Sequence, residues 1–221
     1  MKKNFKKGIS TFQLLILIII GYFFVWPYIE ENFIYKDTPK YVAQFKDAIE
    51  DFTSQNKTVK DAYQDAINSQ NEAKKVKYVF QHEKTKNFIS KWKTAETEII
   101  TLRKKFVVYK NETEDFVEAL DEKLDSIKND DALKDKMQKY SKTKAQKLAQ
   151  NILKIESNIN KLDTSIEKGN NLIIALETVS SFNQLSKDIE DFDILLNTSN
   201  QIFSDMDNLL KEGITVLDSE L

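Results

Sequence analysis

One histidine, no cysteine and a scattered set of carboxylates are all that this chain offers for chemistry. His82 has no second imidazole or thiolate nearby in sequence, so it is expected to hold no metal and to move no proton. A Ser-His-Asp triad would have to use His82, and no G-x-S-x-G elbow supplies the serine. A di-iron bundle needs E-x-x-H on two helices, but Val79 stands three residues before His82. Asp205-Met206-Asp207 lacks the glycine and the closing glutamate of a calcium loop. Glu114–Asp115 and Asp130–Asp131 are adjacent pairs, and adjacent residues of a helix point apart. Past residue 40 only Gly169 and Gly213 remain, too far apart to cradle a phosphate. The chain is therefore expected to be no enzyme, with no catalytic, cofactor-binding or metal-binding residues and no cofactor.

The elements that carry these residues begin with a membrane anchor. Met1 to Gly8 holds Lys2, Lys3, Lys6 and Lys7 and no acid. Ile9 to Tyr28 then runs without a charge, and at about 1.5 Å per residue it spans about 30 Å, the thickness of a bilayer core. Lysines stay on the cytoplasmic side, which directs the rest of the chain outward. Tyr22, Trp26 and Tyr28 suit the outer interface, and Pro27 bends or ends the helix there. Gly21 to Tyr28 offers no A-x-A-like cleavage site, so the segment reads as an uncleaved signal anchor. The expected layout is a basic cytoplasmic segment over 1–8, a transmembrane anchor over 9–28, a juxtamembrane linker over 29–38, and an extracytoplasmic helical bundle over 39–221.

Lys6-Lys7-Gly8 before Ile9-Ser10-Thr11-Phe12-Gln13 resembles the leader of type IV prepilin-like proteins. That resemblance implies cleavage after Gly8 and a glutamate at the fifth mature position, where this chain has Gln13 instead.

The remainder reads as all-α. Glycine and proline are scarce, with four and two in the whole chain, and a sheet protein spends both on its turns. Asp37-Thr38-Pro39 is a helix start. Apolar residues then recur at 3-4 spacing from Val42 to Ala73, from Phe88 to Ile127, from Leu148 to Leu176 and from Phe182 to Leu217, with Asn56 and Gln70 as polar interruptions. Turns are expected at Gln81–Asn87, at Lys128–Asp131, and either at the capping box Ser181–Gln184 or at Gly169–Asn171. Extra apolar positions at Ile100 and Val107, and at Leu195, Ile202 and Leu209, widen two of the faces. Together these predict an elongated antiparallel bundle or coiled coil of three or four long helices, each of about 40 residues and about 60 Å.

Charge is uneven. Residues 57–110 carry thirteen Lys and Arg against six acids, while 180–221 carry two Lys against nine acids. The two segments are expected either to neutralise each other as neighbours or to face separate partners. Asn56, Asn111 and Asn197 each begin a glycosylation sequon.

The function expected is that of a structural or protein-interaction module of a bacterial cell envelope. Its partners would be the lipid bilayer through residues 9–28 and a protein partner or a second copy through the bundle. Nucleic acid is not expected outside the cytoplasm. The alternatives are an accessory or immunity-type factor binding a toxin or a cell-wall enzyme, a ligand-sensing bundle that signals through a partner subunit, and a prepilin-like component. N-terminal sequencing of the mature protein separates anchor from prepilin: a chain starting at Met1 is expected, and one starting at Ile9 would replace the anchor with the processed form.

Overall fold

The computed structural model describes residues 39–76, 79, 82–127, 131–179 and 181–218. The segments expected over residues 1–38 lie outside the described residues. No helix among those described is long and apolar enough to cross a membrane.

All regular structure among the described residues is helical. Helix α1 runs over Pro39–Lys74, α2 over Glu83–Ser126 and α3 over Asp131–Leu176; a 3-10 turn over Phe182–Leu185 then leads into α4, Ser186–Asp218. Each helix packs against its neighbours in a closed ring, α1 on α2, α2 on α3, α3 on α4 and α4 on α1. This is an up-down-up-down four-helix bundle. Its longest member, α3, has 46 residues and at 1.5 Å per residue measures about 69 Å.

The predicted seams are the core. Among the seam residues whose side chains are described, which leaves out Phe182, all are buried apart from half-buried Val42, Ile127 and Ile166. Aromatic rings fill two zones. In one, Phe45 stacks on Tyr109 and Phe116, with centroids 5.7 and 5.6 Å apart, and Phe52 lies against Phe106 and Tyr109. In the other, Trp92 meets Tyr63 at 5.6 Å and Phe192 at 4.9 Å, and Tyr63 meets Phe203 edge-on at 5.2 Å. Buried alanines, Ala48, Ala66 and Ala73 from α1 and Ala95 from α2, allow these two helices to approach closely. At this close spacing the seam alone fills the interface. Ile100 and Val107 were expected in the core but are 49% and 54% exposed. Helix α4 does use its wider face, with Ile202 buried and Leu195 and Leu209 half-buried.

The turns differ from expectation in detail. The first comes earlier than Gln81–Asn87, because His82 caps α2: its Nδ1 accepts from the Lys84 amide at 3.1 Å, and its carbonyl accepts from the Lys86 amide at 3.0 Å. Exposed Glu72 also bridges this turn to Lys75 and Lys84, whose hydrogen bonds hold its carboxyl down at about 2. Asp131 belongs to α3 rather than to the second turn. The third turn begins at Glu177 and Thr178, and on its far side Gln184 Oε1 accepts from the Ser181 amide at 3.2 Å. Gly169–Asn171 is not a turn. Gly169 is buried inside α3, and a Cβ there would overlap the indole of Trp92. Trp92 Nε1 donates to Asn170 Oδ1 at 2.9 Å, and Asn170 Nδ2 donates to Glu96 Oε1 at 2.8 Å.

Buried polar groups set the register of α4. Asn56 of α1 donates to the Phe203 carbonyl at 3.0 Å and to Asp207 Oδ1 at 2.6 Å. Lys144 and Asn151 of α3 donate to the carbonyls of Leu217 and Leu209 at 2.9 and 3.3 Å. The Ser165 and Ser199 hydroxyls meet at 3.1 Å. Asn56 is fully buried, which closes its sequon to any glycan.

The basic and acidic segments meet only in part. Lys74 pairs with Asp193 at 2.7 Å, joining α1 to α4. Elsewhere the basic segment pairs with other acids, as in Lys91 with Asp65, Lys105 with Asp51 and Arg103 with Asp163. The reason is topological: α2 carries most of the basic charge and sits diagonally across the ring from α4.

The two helical glycines predict opposite outcomes. Gly169→Ala removes a costly residue from a helix but drives a methyl into Trp92, and overpacking wins, costing about 1–3 kcal/mol. At Gly213 a Cβ would sit 3.6 Å from the Tyr109 hydroxyl oxygen and 3.7 Å from Ile49, which is ordinary contact. Gly213→Ala should therefore stabilise by about 0.5–1 kcal/mol. Denaturant unfolding of both variants beside the parent measures the contrast.

Candidate functional site

The residues first considered for chemistry are dispersed by the fold. His82 is committed to its capping bond. Asp205 and Asp207 lie within α4, where Asp205 accepts from Gln201 at 2.7 Å and Asp207 from Asn56, so they do not converge on one point. Glu114 lies on the groove described below, and Asp115 is exposed beside it. No group of three or more His, Cys, Asp or Glu among the described residues is placed to hold a metal ion.

Two buried tyrosines carry the most perturbed hydroxyls. Burial pushes Tyr109 up to about 12, with the Thr113 hydroxyl pulling the other way. Burial pushes Tyr63 further still, opposed by the hydroxyls of Ser165 and Ser199. Both rings are fully buried core members, so these groups are structural rather than reactive.

What remains is surface shape. Among the described residues, three grooves stand out. One, of about 500 Å³, runs along the outside of α2 alone, from Lys86 to Glu98. A second, of about 530 Å³, lies between α3 and α4 and mixes Lys154 and Lys161 with Asp205 and Glu212. The third, of about 690 Å³, lies between α2 and α3 and differs in character. Its floor is apolar, with Val117 from α2 and Ala145, Leu148, Ala149 and Ile152 from α3. Its rim on α2 is Glu114, Glu118, Asp121, Glu122 and Asp125, with Glu156 opposite on α3 and Lys110 as the single cation. Asp121 accepts from the Ser141 hydroxyl at 2.8 Å. The other five rim carboxylates form no ion pair among the described residues.

The local sequence explains this groove. The seam of α2 turns inward through Thr113, Phe116 and Leu120, so the flanking positions 114, 118, 121, 122 and 125 stay in water and are free to be acidic. On α3, Leu148 and Ile152 are seam residues, while Ala145 and Ala149 beside them are too small to fill the cleft. Leu153 stands at the edge, 64% exposed. The heptad seams include Leu148 and Ile152 but not Val117, Ala145, Ala149 or Leu153. The missed signal was the acid-rich run of α2 from Glu112 to Asp125, which a wider charge window averages against the lysines of α3.

No protein-family model matches the chain, and no curated protein or solved structure matches it.

The buried tyrosines predict an alkaline limit to stability. Their neutral form is favoured in the folded state, whereas the unfolded chain ionises near 10. Stability should hold below about pH 10 and fall as pH rises toward about 12, because the unfolded state loses protons first. Tyr109→Phe should flatten that fall, as read from denaturation midpoints across the range.

Proposed function

We propose that this protein is a single-pass membrane protein whose four-helix bundle stands outside the cytoplasm as a structural or protein-interaction module of the cell envelope. The observation that carries the reading is the charge-free run Ile9–Tyr28, flanked by four lysines on one side and Glu30–Glu31 on the other. Ten residues separate that run from α1, and even fully extended they reach only about 35 Å. The bundle is thereby tethered close to the bilayer, while its long axis of about 69 Å carries the far turns outward.

The bundle's own architecture supports a binding role. Its large aromatic residues are spent on the interior, and its outer face offers a groove with an apolar floor and a charged rim. Helix α1 starts at the end of the ring where α2 finishes and α3 begins. The α2–α3 groove lies in that half, so a partner seated there is held near the membrane.

The absence of cysteine makes topology directly measurable. Single cysteines are introduced by Lys3→Cys and by Lys93→Cys, an exposed position on α2. A membrane-impermeant maleimide applied to intact cells should label residue 93 and leave residue 3 unlabelled until the cells are lysed. Labelling of residue 3 alone, or release of the protein from membranes by alkaline carbonate, would reject the reading.

A further inference from the structure

Resting on that reading, we infer that the α2–α3 groove docks a lysine- or arginine-rich amphipathic helix of a partner protein. The groove extends along α2 from Lys110 to Asp125, about 23 Å at helical rise, which matches about four turns of a docked helix. Its floor suits a helix rather than an extended strand. Ala145 and Ala149 lie one turn apart on α3 and leave room for a backbone to approach, with Leu148 and Ile152 beside them and Val117 across the cleft. Apolar residues at i, i+3 or i+4, and i+7 of an incoming helix would line such a floor. Leu153, 64% exposed at the edge, is apolar surface that the docked helix would cover.

Charge selects the partner. Six carboxylates surround the floor against Lys110, and none of the six is in an ion pair among the described residues, Asp121 being bonded only to the neutral Ser141 hydroxyl. Glu114, Glu118, Glu122 and Asp125 recur at helical spacing along one side of α2, so they repel one another. A cationic helix relieves that repulsion and is steered toward the site, while an acidic helix, a nucleic acid or an anionic lipid surface is repelled. The α3–α4 groove, with lysines and acids mixed, has no comparable preference.

The test uses the full-length protein in nonionic detergent, with protein-free micelles as the blank. The probe is a Lys/Leu amphipathic peptide of about 15 residues, a length set by the groove. A Glu/Leu peptide of the same pattern and a scrambled Lys/Leu peptide are the controls. The Lys/Leu peptide should bind one to one, with affinity falling severalfold between about 50 and about 500 mM salt. The Glu/Leu and scrambled peptides should bind at least about tenfold more weakly. Glu118→Lys with Glu122→Lys should weaken binding by about tenfold or more. Leu153→Asp should weaken it by about fivefold, while Lys93→Glu on the outside of α2 should leave it unchanged. Thermal unfolding of each variant confirms that it is folded.

Equal binding of the scrambled peptide, unchanged affinity in both groove variants, or no binding by the parent would overturn the inference. So would a stable dimer of the full-length protein that protects Leu153. The cysteine labelling described above reads the anchor alone. A protein labelled from outside that ignores the peptide keeps its envelope role and loses this groove as its docking site.

Discussion

Trp92 is the contact on which the bundle's arrangement turns. Its indole lies on Tyr63 of α1, against Gly169 and Asn170 of α3, and edge-on to Phe192 of α4. One side chain thus touches all three other helices, and its only polar atom is satisfied by Asn170. Large aromatic groups at such crossings contribute mainly by excluding water, and their shape admits few alternative packings. Sliding α2 along α3 by one turn would carry the indole off Gly169 and onto a position with a Cβ. Register between these two helices is therefore set sterically at one end, and the Arg103–Asp163 pair and the Asp121–Ser141 bond continue it along the interface.

Helix α4 is held by a different device. Its neighbours send buried donors to its backbone: Asn56 to the Phe203 carbonyl, Asn151 to that of Leu209 and Lys144 to that of Leu217. Each donor is nearly inaccessible to water, so a shifted α4 would leave it without its partner. These bonds give little net stability relative to an apolar core, but they penalise every wrong register. The exposed ion pairs do less, since pairs such as Lys46–Asp218 at 2.9 Å are largely solvated.

The fold was legible because heptad spacing reports burial directly. Nearly all the described positions from Phe45 to Leu217 that recur at 3-4 spacing are buried, Ile127 and Ile166 being half-buried, and the polar interruptions Asn56 and Gln70 are fully buried too. Two features were not legible, for definite reasons. Gly169-Asn170-Asn171 has the composition of a turn, yet the glycine is there to accept an indole from 77 positions earlier in the chain, and no local pattern encodes a distant partner's shape. Ile100 and Val107 have the spacing of a wide core face, but the alanines of α1 bring that helix so near that the third apolar row falls outside the interface.

The groove was hidden for a related reason. A cleft between helices depends on what small residues fail to fill, and Ala145 and Ala149 carry no hydrophobic signal of their own. Its charge was masked as well. Residues 112–125 hold seven acids and one lysine, whereas 131–147 hold six lysines and two acids, so a window across both nearly cancels. In the folded bundle those stretches adjoin without cancelling, because the rim carboxylates of α2 point into the cleft and take no lysine of α3 among the described residues. A surface that keeps unpaired carboxylates around an apolar floor forgoes stabilisation available from a few substitutions. The physical content of the groove is therefore this arrangement of like charges around an apolar floor, whose mutual repulsion a nearby cation would reduce.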